Sequence, residues 1–196
     1  MAVLVKGVGV PKDTRSRMLD AAVSALRRQG VAGMSFSDVL DASGAARGAI
    51  YHHFPGGKSQ LVAEAAQRNG DEVRGRLAGL PVTGPVQVTE EFLALIRPVV
   101  AESSAGSGCA VAAVAMGDDP APREVSAGVL ASWVDTLAGR LTAAGLPPAD
   151  ATDLATALIA LLEGAHVLCR AAGDVAPFDR AARAALATVT ARYGAG

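Results

Sequence analysis

An all-α fold is predicted, on three observations. Alanine is abundant and aromatic residues make up only 4% of the chain, a balance that suits close-packed helices better than a sheet built from β-branched and aromatic side chains. Apolar residues recur at helical spacing in segments separated by Gly, Pro, Ser and Asp breakers. Between residues 35 and 58, two short helical patterns meet at a glycine, the arrangement of a helix-turn-helix. A chain of 196 residues, 51% hydrophobic and 19% charged, can bury one large core or two small ones, which excludes a disordered polypeptide.

The elements follow in order. Residues 1–10 read as an arm. A helix over about 12–29 places Met18, Leu19, Ala22 and Leu26 on one stripe and stops at Gly30. The second helix begins near Phe36, because the Ser35 hydroxyl can accept from the N–H three residues on while Asp38 reaches back, a capping box. Phe36, Val39 and Leu40 share its inner face, and Gly44 suits the positive φ of a tight exit. A third helix over about 46–53 turns Ile50 and Phe54 inward and leaves Arg47, Ala49, Tyr51 and His52 outward. Pro55-Gly56-Gly57 breaks the chain before a helix over about 58–80, and residues 81–85 form the next boundary. Helices are then expected at about 86–103, 108–117, 121–145, 148–172 and 177–193, with Pro98 kinking or dividing the first of them.

Two helices joined by a short glycine turn place the second in the major groove of DNA. Arg47, Gly48 and Ala49 open that reading segment. The Arg47 fork can donate twice to guanine O6 and N7, and the Ala49 methyl can meet the thymine methyl. Thr14, Ser35, Tyr51, His52 and Lys58 are the candidates for contacts to phosphate, which fix register without reading sequence. Charge is divided accordingly: residues 1–80 carry a net +4 and residues 81–196 a net −5. The plainer alternative makes Arg47 and Lys58 ordinary solvated charges and Tyr51 an aromatic at the edge of the core.

These residues resemble the tetracycline-repressor (TetR/AcrR) family of transcriptional regulators. The likeness rests on Gly30, Ser35, Asp38 with Val39, Gly44, Tyr51, His52, Phe54, Lys58 and Leu61. Ala46 departs from it, since the family places a capping Ser or Thr there. The strings at residues 53–58 and 108–115 are further similar to the LmrA/QdoR-like branch, with Ala110 where that branch has Pro. The resemblance implies an N-terminal DNA-binding domain over residues 1–57 and a C-terminal effector-binding and dimerisation domain over 58–196. It implies a homodimeric repressor released from an inverted-repeat operator by a small hydrophobic or aromatic effector. By the same likeness, Phe92, Ile96, Met116, Trp133, Leu162 and His166 would line the effector cavity, and the last two helices, with Gly164 allowing close approach, would form the dimer contact. Switching by oxidation of Cys109 or Cys169, or by a protein partner, is the alternative.

Other chemistry finds little support. There is no G-x-S-x-G elbow and no H-E-x-x-H, and Pro55-Gly56-Gly57-Lys58-Ser59 lacks the first glycine of a phosphate loop, which would fall at His52. An enzyme is not expected, nor a cofactor. His52 and His53 point about 100° apart on a helix, so they make a poor metal pair. The apolar run at residues 154–169, interrupted by Glu163 and His166, is shorter than the roughly 20 residues a membrane span needs. Without a secretory signal, and with only two cysteines, the chain reads as cytoplasmic.

Overall fold

A computed structural model of the chain describes residues 13–194; the expected arm at residues 1–10 lies outside them. The described residues form helices and no strands: α1 (Thr14–Gly33), α2 (Phe36–Ser43), α3 (Ala49–His53), α4 (Gly57–Ala78), α5 (Pro85–Ser104), α6 (Ala110–Ala115), α7 (Pro120–Ala143), α8 (Pro148–Ala172) and α9 (Ala176–Tyr193).

Each start and stop has a local cause. The Asp13 carboxylate accepts from Ser16 N–H at 2.7 Å and opens α1. Gly30, at φ 69° and ψ −176°, breaks the helix where the sequence predicts its end, and residues 30–33 make one further turn. Ser35 Oγ accepts from Asp38 N–H at 3.1 Å and opens α2. The cap is one-sided, however: among the described residues the Asp38 carboxylate returns no bond to Ser35, because Asp is a methylene shorter than the Glu of a full capping box. Gly44, at φ 66°, closes α2 in the left-handed region. The third helix is shorter than expected. Ala46 has no side-chain oxygen to cap it, so residues 46–49 form a turn closed by Ala49 N–H on the Ala46 carbonyl at 2.9 Å, and the helix proper begins at Ala49. Pro98 does not divide α5: it stands on the solvent side, where the carbonyl it frees, that of Ala94, can be hydrated.

Two hydrophobic cores result. The N-terminal one gathers Met18, Leu19, Ala22 and Leu26 of α1, Val39 and Leu40 of α2, Ile50 and Phe54, and reaches Leu61, Val62, Ala65 and Ala66 of α4 and Ala110 and Val114 of α6. The packing therefore continues past residue 57. The C-terminal core takes over on the same helix at Leu77 and joins Phe92, Ile96, Val100, Trp133, Leu137, Leu158, Leu162 and Phe178. Helix α4 thus belongs to both. Midway along it, Gly70 lets α7 approach so closely that a Cβ would lie 2.3 Å from Val129 Cγ1.

Helix α8, at 25 residues, is long and apolar enough to cross a membrane by length and composition, more so than the run at 154–169 suggests. Its inner face is nonetheless core: Ala155, Leu158, Leu162 and Cys169 are buried against α5, α7 and α9.

Candidate nucleic-acid interface and internal cavity

The N-terminal head holds the five-residue α3 on a braced support. Arg17 Nε donates to the Ser43 carbonyl at 3.0 Å, tying α1 to the end of α2. The Arg15 guanidinium lies 5.2 Å from the centre of the Phe54 ring and pairs with Glu64, so α1, the end of α3 and α4 are clasped together. Arg68 pairs with Asp20 at 2.8 Å across α1 and α4. Ile50 and Phe54 are buried, as their spacing predicts.

On the opposite side, Arg47, Gly48, Tyr51 and His52 are exposed and Ala49 is half-buried. Arg47 and Gly48 lie in the turn just ahead of α3, at its N-terminal end. Tyr51 is 66% exposed, yet its ring is steadied edge-on by Phe36 at 5.9 Å. The plainer reading of Tyr51 as a core-edge aromatic describes only that one contact. Thr14 opens α1, where its hydroxyl accepts from Arg17 Nη2 at 3.3 Å; Ser35 caps α2; Lys58 stands in the first turn of α4. His52 and His53 meet edge-to-face at 5.0 Å. Among the described residues no group of three or more His, Cys, Asp or Glu side chains could hold a metal ion.

The body holds a cavity of about 120 Å³ between α4, α5, α7 and α8, open to solvent beside Glu72 and Arg76. Phe92, Ile96, Trp133, Leu162 and His166 line it, with Leu95, Val99 and Ile159. Met116 does not. It caps α6 at the surface, 86% exposed, because the helix ends one residue earlier and Met116, two positions past the buried Val114, falls on the opposite side.

What the sequence leaves unannounced is how the cavity touches the head. Asn69, Glu72, Val73, Arg76 and Leu77 of α4 form one wall, and Trp133 Nε1 donates to the Gly70 carbonyl of that helix at 2.9 Å. Arg27 of α1, Gly108 and Cys109 form another. Arg27 Nε donates to the Gly108 carbonyl at 3.2 Å, Gly108 N–H donates back to the Arg27 carbonyl at 2.7 Å, and Arg27 Nη2 pairs with Glu102 at 2.8 Å. Beside them Ser103 Oγ meets His166 Nδ1 at 2.6 Å in a buried contact. Burial pulls the His166 imidazole down to about 4, keeping it neutral, and pushes the Glu163 carboxyl up to about 7. Burial and the neighbouring Glu163 push the Cys109 thiol well above its ordinary range. These bonds join residues 63 to 81 positions apart, which no local pattern announces.

A helix-turn-helix head with an exposed reading face, carried on a helical body, defines a DNA-binding protein. Residues 18–65 match the family described as bacterial regulatory proteins, tetR family, and residues 85–184 match the C-terminal domain of LmrA/YxaF-like transcriptional regulators. An uncharacterised helix-turn-helix-type transcriptional regulator of Mycobacterium tuberculosis (strain ATCC 25618 / H37Rv) is 35% identical over 84% of this chain and 88% of its own. The transcriptional regulator LmrA of Bacillus subtilis (strain 168) is 27% identical over 84% and 90%. Among solved structures, a TetR transcriptional regulator from Legionella pneumophila has the same fold, with a TM-score of 0.78 at 20% identity over 91% of this chain and 97% of its own. The regulator CifR, as a cysteine mutant complexed with 26-base-pair operator DNA, aligns with a TM-score of 0.68 at 22% identity over 90% and 97%. The chain belongs to the TetR family of transcriptional regulators, with the LmrA/YxaF-like C-terminal domain. It is a regulator of transcription and not an enzyme.

Proposed function

We propose that the chain is a homodimeric repressor that binds an inverted-repeat operator and is released when a small hydrophobic or aromatic effector occupies the cavity of the body. The observation that carries this reading is the placement of the cavity. Its walls include α4 and the Arg27–Gly108 contact, two of the places where body and head are joined. An occupant that favours a different spacing of those walls shifts the heads, and linkage then requires the operator to weaken effector binding by the same factor, typically 1–3 kcal/mol.

On the DNA side, Arg47 and Ala49 read bases, with Gly48 at the close approach between them, and Thr14, Ser35, Tyr51, His52 and Lys58 hold phosphates. The outer face of α8 supports dimerisation. Ala157, Ala160, Gly164, Val167 and Leu168 follow helical spacing on its exposed side, and Val167 and Leu168 are 68% and 56% exposed. Pairing that face and α9 with a second copy makes a four-helix bundle and sets two reading helices roughly 34–36 Å apart, one turn of DNA. The head comprises residues 1–57 and the body 58–196, acting on DNA in the cytoplasm.

A cysteine switch is disfavoured by the environment of the thiols: Cys169 is buried, and Cys109 is held protonated and therefore a poor nucleophile. The test is fluorescence anisotropy on operator DNA with and without effector. Release by a cavity-binding compound is expected; unchanged affinity at saturating compound would remove that compound from the mechanism.

A further inference from the structure

The cavity is small, and of the uncharged polar side chains in its lining, Asn69, Cys109 and His166, the imidazole is the one whose donor can be assigned from its neighbours; together these define a ligand class, and this step rests on the effector-cavity reading above. A volume of about 120 Å³ is close to the roughly 150 Å³ of an apolar protein cavity that admits benzene. Phe92, Ile96, Val99, Trp133 and Leu162 offer it flat and branched apolar walls.

That donor belongs to His166. Ser103 is fully buried, and its hydroxyl has a single partner among the described residues, His166 Nδ1 at 2.6 Å. If Nδ1 donated, the hydroxyl proton of Ser103 would be left without an acceptor. Satisfying both groups requires Ser103 Oγ–H to donate to Nδ1, which places the ring proton on Nε2. Among the described residues Nε2 has no partner, so it stands as a donor in a side chain that lines the cavity.

No unspent charge accompanies it. Arg27 is paired with Glu102 and bonded to Gly108, and Glu72 and Arg76 at the exposed mouth are paired with each other at 2.7 Å. The imidazole itself is neutral, pulled down by burial. An ionised ligand would lose its hydration with nothing to replace it.

We infer that the cavity takes an uncharged molecule with a single aromatic ring and a carbonyl-type oxygen, the ring packed against Trp133 and Phe92 and the oxygen accepting from His166 Nε2–H.

Three probes of nearly one shape test this on the full-length protein by calorimetric titration, with Trp133 fluorescence as a second readout: acetophenone, α-methylstyrene, in which CH₂ replaces the oxygen, and benzoate. Acetophenone is expected to bind about tenfold tighter than α-methylstyrene, about 1.4 kcal/mol, and benzoate to show no binding. H166F keeps a ring and removes the donor, and is expected to erase the acetophenone preference while α-methylstyrene binding persists. S103A, which spares the imidazole and frees its tautomer, is expected to reduce the preference without abolishing the fold. Equal binding of acetophenone and α-methylstyrene, tightest binding of benzoate, an undiminished preference in H166F, or no binding of any probe would overturn the inference. Operator release followed in parallel separates this from the regulatory reading. Probe binding without release refutes the effector role of the cavity and leaves its ligand chemistry standing. Release by some other compound, with none of the three probes bound, leaves regulation standing and refutes the ligand class.

Discussion

The buried carboxyl of Glu163 gives the most quantitative prediction. One oxygen, Oε1, is sealed from solvent without a partner among the described residues, and the carboxyl pKa rises from 4.5 to about 7 because burial penalises the charged form more than the neighbouring Cys109 thiol supports it. The folded state therefore keeps a proton that the unfolded chain releases. Stability from this group is present in full below about pH 4.5 and falls as pH rises to about 7, by roughly 3 kcal/mol in all. His166 acts in the opposite sense. Its pKa falls from 6.5 to about 4, so its contribution is present above pH 6.5 and is lost as pH falls to about 4. Between about pH 4.5 and 6.5 the two slopes oppose each other, and the pair leaves wild-type stability nearly flat. E163Q removes one of them. Urea unfolding at pH 5, 6.5 and 8, at one protein concentration, is expected to find E163Q gaining about 2 to 3 kcal/mol relative to wild type between pH 5 and pH 8. The variant itself loses stability from pH 6.5 downward as the histidine slope is unmasked. A difference between the two proteins that does not change with pH would refute the reasoning.

Other perturbations separate the parts of the molecule. Arg47→Ala is expected to cost roughly 1–3 kcal/mol on operator DNA and relax base preference, whereas Lys58→Ala weakens all sequences alike; equal losses for Arg47→Ala on operator and random DNA would remove its reading role. Gly70→Ala drives a Cβ to 2.3 Å from Val129 Cγ1 and is expected to cost about 1–3 kcal/mol in thermal unfolding, with a changed Trp133 emission because the same glycine accepts from the indole; an unshifted melting temperature would show that α4 and α7 can separate freely. Val167→Asp places a charge on the exposed apolar face of α8 and is expected to yield monomer in sedimentation equilibrium at concentrations where wild type is a dimer; an unaffected dimer would put the contact on another face.

Local chemistry made most of the fold legible. Ser35, Gly44 and Gly30 announce helix ends through capping and positive φ, and the apolar spacing of Met18, Leu19, Ala22 and Leu26 describes a face that is buried. The start of α3 was less legible, because a turn led by Ala46 and a helix led by Ala46 present the same pattern of apolar residues. The position of Met116 outside the cavity was illegible for a similar reason: methionine prefers the interior, but only the end of α6 decides that it faces solvent. Five cavity residues were reachable through family likeness and apolar character. Arg27, Gly108 and the Trp133–Gly70 bond were not, since each depends on segments far apart in sequence meeting through backbone atoms.

The central claim is that the exposed face around α3 reads a particular DNA sequence. The most direct measurement is an anisotropy titration of the purified protein, at physiological salt, against the DNA upstream of its own gene and against random DNA of equal length. Operator-specific reading predicts a preference of at least roughly 10³-fold, lost in Arg47→Ala. Equal affinity for both DNAs, unchanged by Arg47→Ala, would contradict it.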